Sequence, residues 1–271
     1  MVIDKNSNLT LEKFNKLYHI LDSLRNAASI SKEELNAFYI PWGNGSNESI
    51  FERLCGSLQN SGQMVNTIKF YGENENLIKK ITFDYDLIKF RNAYSSWEEI
   101  YVKLTNNGKL DKGTHSKETN WEKYAKGLYT GAYFLMEENG LNQIKKLISL
   151  SDTMTEINDE IIQQVKYISS NIHGLGFALT CDWLKECGCT WLTKPDVHII
   201  EVYKHLAGLD SNSKVSNLDI IKDFFDYAQS IKSMDPKMTA YKLDKMIWLI
   251  CTGNFYLYDK KLGRDLIIKN V

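Results

Sequence analysis

Asp196 and His198 stand in the stretch "TKPDVHII" (193–200), and 20 residues before Asp196 lies Gly176, the last residue of "IHGLG" (172–176). A carboxylate and an imidazole two residues apart can move protons or stabilise positive charge. A G-x-G turn that opens a helix leaves backbone amides pointing outward, a geometry that holds a phosphate. Each feature also has a plainer reading. Asp196 at a helix start is a good cap, and two glycines suit any tight helix junction. His198 is either a phosphate donor or a half-buried helix histidine. Lys194 is either an amine nucleophile or a solvated loop lysine, and Asp182 either reads the polar edge of a ligand or faces solvent. The spacing Cys181-x5-Cys187-x-Cys189 lacks paired C-x-x-C units, and the nearest further ligand, His198, is nine residues beyond Cys189. With Cys55 and Cys251 the cysteines number five, an odd set that reads as reduced structural thiols. No metal and no other cofactor is expected.

The elements that must position these groups are helical. Only three prolines (Pro41, Pro195, Pro236) interrupt the 271 residues. From Glu160 the residues Ile161, Val165, Ile168 and Ile172 form one apolar stripe that stops at Gly174. A second helix runs from just after Gly176 through Leu179, Trp183 and Leu184 to "ECGC", with Gly188 as its cap. A third starts at Pro195-Asp196 and continues through Ile199, Val202, Tyr203 and Leu206 to Gly208. Leu243, Met246, Ile247 and Ile250 repeat the pattern before "TGNF" ends it, and residues 48–71 read as two helical segments interrupted at Gln59 to Gly62. The stretch "NNGKLDKGTHSKETN" (106–120) is a loop. No internal repeat or low-complexity tract is present.

A hydrophobic share of 43% with 25% charged residues is that of a chain with a core. No apolar run reaches the roughly 18 residues that cross a bilayer, and "MVIDKNSNLTLEKF" lacks the basic and apolar regions of a signal peptide, so a cytoplasmic protein is expected, with no membrane partner. The net charge of −1 provides no global attraction to polyanions, so any nucleic-acid contact has to come from a local patch.

Taken together, the hairpin, helix, loop and aspartate at a helix N-terminus resemble the helix-hairpin-helix DNA glycosylase superfamily. Where that family reads "L-P-G-V-G", this chain has "I-H-G-L-G" (172–176), and where it reads "V-D-x-H", this chain has "P-D-V-H" (195–198). The D-V-H triplet is most similar to the 8-oxoguanine branch. Upstream, "L-C-G-S-L-Q-N-S-G-Q" (54–63) is similar to the family's "L-x-S-x-Q-x-[ST]", and "WEKYAKGLYTGAYFL" (121–135) and "LDKMIWLICTGNF" (243–255) look like family helices.

The resemblance implies an all-α, two-lobed fold, one lobe formed by residues 1–55 and 190–271 and a central lobe of residues 56–189 carrying the hairpin 172–178. It implies a monomer acting on duplex DNA with an extruded base, Asp196 being catalytic. DNA contact falls to Gly174, Leu175, Gly176, Ala178 and His198. Gln59 and Asn60 would fill the gap that the base leaves, and Asp182, Tyr39 and Trp42 would form the base pocket. Three departures qualify this. Ala178 occupies the position of the lysine that strand-cutting members use, which implies a monofunctional enzyme. No cysteine follows Cys251, so the family's iron–sulfur loop has no counterpart, and residues 1–40 read as helix and loop rather than an antiparallel domain. The other reading of the same resemblance is a non-catalytic DNA-binding protein that retains the hairpin.

Overall fold

The computed structural model describes residues 7–27, 29–108 and 118–252. Among them are fourteen α-helices and no strand: α1 (Ser7–Ala27), α2 (Lys32–Ala37), α3 (Asn47–Leu58), α4 (Val65–Ile68), α5 (Glu75–Ile81), α6 (Leu87–Ala93), α7 (Trp97–Thr105), α8 (Asn120–Glu137), α9 (Gly140–Ser149), α10 (Asp159–Asn171), α11 (Phe177–Glu186), α12 (Val197–Leu206), α13 (Asn217–Ser230) and α14 (Ala240–Thr252). None of the described helices is long and apolar enough to cross a membrane. The break expected at "TGNF" and the middle of the 106–120 loop lie outside the described residues.

The chain divides into two compact units. The first comprises Met1–Pro41, Thr153–Asn158 and Thr190–Val271, the second Trp42–Asp152 and Asp159–Cys189. The first break therefore falls after Pro41 and not at residue 55. The physical reason is α3, whose whole apolar face (Ile50, Phe51, Leu54, Leu58) is buried and which packs on α8 and α11 of the second unit.

In the first unit, Leu17 and Leu21 of α1, Ile199 and Val202 of α12, Phe224 of α13 and Leu243 and Ile247 of α14 share one core. Each such buried side chain contributes about 1.5–3 kcal/mol, which outweighs the few tenths that helix propensity decides. In the second unit α10 buries Ile162, Val165 and Ile168. Ile161, expected on that stripe, is only half-buried because Ile162 takes the inward position. α11 buries Trp183 and Leu184, and Trp183 Nε1 donates to the Ile50 carbonyl at 3.0 Å, tying α11 to α3.

Glycines on α8 permit close helix packing. A Cβ at Gly127 would stand 2.7 Å from Leu58 Cδ2 and 3.0 Å from the backbone oxygen of His173. Exchange of Gly127 for alanine gains about 1 kcal/mol of helix propensity but forces a backbone oxygen aside, an overpacking cost of about 1–3 kcal/mol. A net loss of about 1 kcal/mol is expected for Gly127→Ala in urea denaturation followed by circular dichroism. A gain in stability would mean that the turn around His173 yields freely.

Candidate active site

The hairpin belongs to the second unit. α10 ends at Asn171, and the turn is closed by the Leu175 N–H donating to the Ile172 carbonyl at 3.2 Å and by Ser169 Oγ donating to the Leu175 carbonyl at 3.0 Å. Gly174 sits at φ +77°, a conformation that L side chains rarely adopt, while Leu175 is buried and anchors the turn. Gly176 caps α11 without any side-chain hydrogen bond, and a Cβ there would meet nothing within 4 Å. Packing within the chain therefore does not require glycine at 176; bare backbone there suits close approach by another molecule. Ala178 is half-buried in the first turn of α11.

α8 supports this turn from beneath. The His173 N–H donates to Thr130 Oγ1 at 2.9 Å, and His173 Nε2 lies 2.9 Å from a Glu118 carboxylate oxygen, which also accepts from Lys126 at 2.8 Å. Burial pulls the Glu118 carboxyl upward, and the hydrogen bonds from Lys126 and His173 outweigh it, leaving the group below the usual carboxylate range. The carboxylate is thus ionised at neutral pH. Lys123, which the sequence reading placed in a helix but gave no role, has its side chain 3.3 Å from where a Gly174 Cβ would be, and its Nζ stands 3.3 Å from the corresponding point on Gly62. It makes no ion pair among the described residues.

The segment between α3 and α4 differs from expectation. Gln59 is buried, and its Oε1 accepts the Phe70 N–H at 2.9 Å. A side chain that fills a gap in DNA must be exposed, so Gln59 does not suit that role; it holds the loop in shape. Asn60 is exposed and precedes a short 3-10 turn (Ser61–Gln63) in which Gly62 has φ +57°.

Asp196 lies in the first unit. α12 begins at Val197 and Asp196 is its N-cap, so Pro195 precedes the helix instead of opening it. Asp196 Oδ1 accepts from the His198 N–H at 3.1 Å and the Ile199 N–H at 3.2 Å. Its Oδ2 lies 3.7 Å from Lys194 Nζ, and each of these side chains is 19% exposed. Lys194 is therefore not the solvated loop lysine that one sequence reading allows. His198 is half-buried. The approach to Asp196 is pinned by α14: the buried Asp244 Oδ2 accepts from Thr193 Oγ1 at 2.8 Å and from the Lys194 N–H at 2.7 Å, and the Tyr241 N–H donates to the Thr190 carbonyl at 3.0 Å. Asp244 was missed because an aspartate inside an apolar stripe signals a buried partner without saying which.

The other expected pocket residues fall in separate surroundings. Asp182 on α11 is half-buried, 3.6 Å from the ammonium of the buried Lys185, and so does not face open solvent. Tyr39, in the first unit, lines a cavity of about 400 Å³ with Tyr18, Arg25 and Lys242. Its hydroxyl is buried with no hydrogen-bond partner among the described residues, and burial raises its pKa. Trp42, in the second unit, is 58% exposed beside Arg53 and Tyr71. Cys55, Cys181, Cys187 and Cys189 are buried and form no disulfide among the described residues. Burial raises the pKa of Cys55, Cys187 and Cys189, which keeps them protonated and poor metal ligands.

Two compact all-helical units, with a glycine hairpin in one and a capping aspartate in the other, form a fold that is similar to that of solved DNA glycosylases. The crystal structure of the Thermotoga maritima 8-oxoguanine DNA glycosylase shares it with a TM-score of 0.52 at 15% identity, over 88% of this chain and 98% of that one. The 8-oxoguanine DNA glycosylase of Methanocaldococcus jannaschii does so with a TM-score of 0.51 at 19% identity, over 88% and 94%. No family model matches the sequence, and no curated protein does.

Removing the Asp244 carboxylate would leave Thr193 Oγ1 and the Lys194 amide without their acceptor. Hydrogen bonds to a charged group are worth about 1.5–3 kcal/mol each, and buried groups left unpaired add to the loss. Asp244→Ala is expected to lower the unfolding free energy by about 3 kcal/mol in denaturant titration. A loss under about 0.5 kcal/mol would show that the segment before Asp196 is held by other contacts.

Proposed function

We propose that this chain is a DNA N-glycosylase that releases an altered, mispaired or modified base by hydrolysis and does not itself cut the strand. The observation that carries the reading is the Asp196 carboxylate, fixed at the start of α12 with one oxygen used by the cap and the other beside Lys194. Cleavage of an N-glycosidic bond leaves positive charge on the sugar as the base departs with the bonding electrons. A fixed carboxylate beside C1′ stabilises that charge and takes the proton of the attacking water, whose oxygen forms the new bond to C1′.

The amides opening α11, with Gly174, Leu175, Gly176 and Ala178 at their edge, would receive a DNA phosphate, with Lys123 as a further donor, and His198 in the first unit would contact a phosphate of its own. Asn60 would enter the gap in the duplex. Asp182 and Trp42, both in the second unit, are proposed as groups that contact the base, whereas Tyr39 lines a separate cavity in the first unit. Ala178, in place of a nucleophilic lysine, supports hydrolysis without strand cleavage. Both fold relatives are 8-oxoguanine DNA glycosylases, so 8-oxoguanine is the first base to test. Excision of it in repair and attack on modified foreign DNA are equally compatible with the site.

One observation favours a second reading. The mostly buried Lys194, with its amine 3.7 Å from Asp196, is placed as a substitute nucleophile would be. Its neutral amine would bond to C1′ as the base departs with the bonding electrons, and loss of a proton from that nitrogen with opening of the sugar ring at O4′, which takes up a proton, would leave a protonated imine.

End-labelled duplexes carrying a panel of damaged and modified bases separate these readings. Breaks that appear only after hot alkali, and whose rate falls about 100-fold or more in Asp196→Asn, are the expected result. Breaks without alkali, together with a borohydride-trapped complex lost in Lys194→Met, would establish the imine route. Salt-sensitive binding with no base released from any duplex would leave a non-catalytic DNA-binding protein. In the same assays Lys123→Ala should weaken binding to every duplex alike and reduce the slope of log affinity against log salt by about one; an unchanged slope would remove Lys123 from the interface.

A further inference from the structure

Arg53 on α3 is 8% exposed, and a guanidinium is charged at every physiological pH. It makes no hydrogen bond and no ion pair among the described residues. Its contacts are ring faces: the guanidinium carbon stands 5.2 Å from the centroid of Trp42 and 5.0 Å from that of Tyr71. Buried charges are ordinarily paired with an anion. Cation–π contact offsets only part of the cost of drawing an ion out of water.

The two rings are themselves out of place for a core. Trp42 is 58% exposed and Tyr71 53% exposed. Both are nonetheless fixed. Gly56, one turn after Arg53, has no Cβ to collide with Tyr71, whose hydroxyl oxygen would lie 2.2 Å away, and Phe70 meets Tyr71 edge-on at 4.6 Å. The Gly43 N–H donates to the Glu186 carbonyl at 2.8 Å and holds the chain next to Trp42. The rings are 6.2 Å apart and tilted by 46°. That geometry does not admit a base between them but presents two outer faces around a cation. All of these groups belong to the second unit.

We propose that Trp42, Arg53 and Tyr71 form a site for an unpaired nucleotide of DNA, the base stacked on an exposed outer ring face and Arg53 donating to a phosphate of that nucleotide at the rim of the rings. Stacking on aromatic side chains suits any base, and the guanidinium fork supplies two donors to a phosphate. The inference rests on the proposed action on DNA, in which an unpaired nucleotide arises, and it assigns the selection of that nucleotide to groups outside the hairpin and Asp196.

The test measures fluorescence anisotropy of labelled duplexes, fully paired or carrying one unpaired central nucleotide, with the full chain and its Trp42→Ala, Tyr71→Ala and Arg53→Met variants. The wild type should prefer the duplex with the unpaired nucleotide. The variants should lose about tenfold of that affinity while binding the paired duplex within about twofold of wild type. Trp42 is exposed, so Trp42→Ala remains informative if Arg53→Met fails to fold. Equal loss on both duplexes, or no preference in the wild type, overturns the proposal. Base release with no such preference would sink this site and leave the glycosylase reading standing. A preference lost in Trp42→Ala with no base released would do the reverse. Should no duplex bind, free deoxynucleoside monophosphates decide: saturable tryptophan quenching that disappears in Trp42→Ala upholds the site, and its absence overturns it.

Discussion

The buried carboxylate of Asp244 organises the segment on which the proposed chemistry depends. A single oxygen accepts both the Thr193 hydroxyl and the Lys194 amide, so the loop from Thr190 to Asp196 has one backbone path over α14. Asp196 then caps α12 with one oxygen and keeps the other beside Lys194. A capping aspartate and a catalytic one are often treated as rival explanations. Here the cap uses one oxygen, the proposed catalytic role would draw on the other, and the cap is what holds that second oxygen still. An orientation fixed before any substrate arrives is what electrostatic stabilisation of a developing charge requires.

Backbone exposure is handled differently in the other unit. The hairpin turn is rigid because Leu175 is buried, Ser169 closes over its carbonyl and His173 is tied to Thr130 and Glu118. Its two glycines serve different ends. Gly174 is demanded by a positive φ, whereas Gly176 has open space around it and adopts ordinary extended backbone. Only the first is explained by the fold of the chain itself.

Charge shows the same local economy. A chain of net charge −1 exerts no global attraction on DNA, and Lys123 and Arg53 are single cations held by structure. Lys123 lies across Gly62 and Gly174, and Arg53 is locked between Trp42 and Tyr71. Such placement favours recognition at a few defined atoms over long-range steering.

The helical class, the hairpin between α10 and α11 and the aspartate at the start of α12 were legible in the sequence, because a 3.6-residue period, G-x-G and an aspartate ahead of an apolar stripe are signals local to a few turns of chain. Tertiary structure decided everything that depends on what meets a side chain from elsewhere. Gln59 looks in sequence like an exposed polar residue in a helix break, yet Phe70 captures its amide and buries it. Lys194 looks solvated but lies largely buried beside Asp196, and Asp182 looks exposed but has Lys185 as its neighbour. The unit boundary moved from 55 to Pro41 because α3 buries its face against α8 and α11, contacts that no local pattern encodes. Arg53, Lys123 and Asp244 drew no notice in the sequence for the same reason: a charge declares its role only when its partners, or their absence, come from residues far away along the chain.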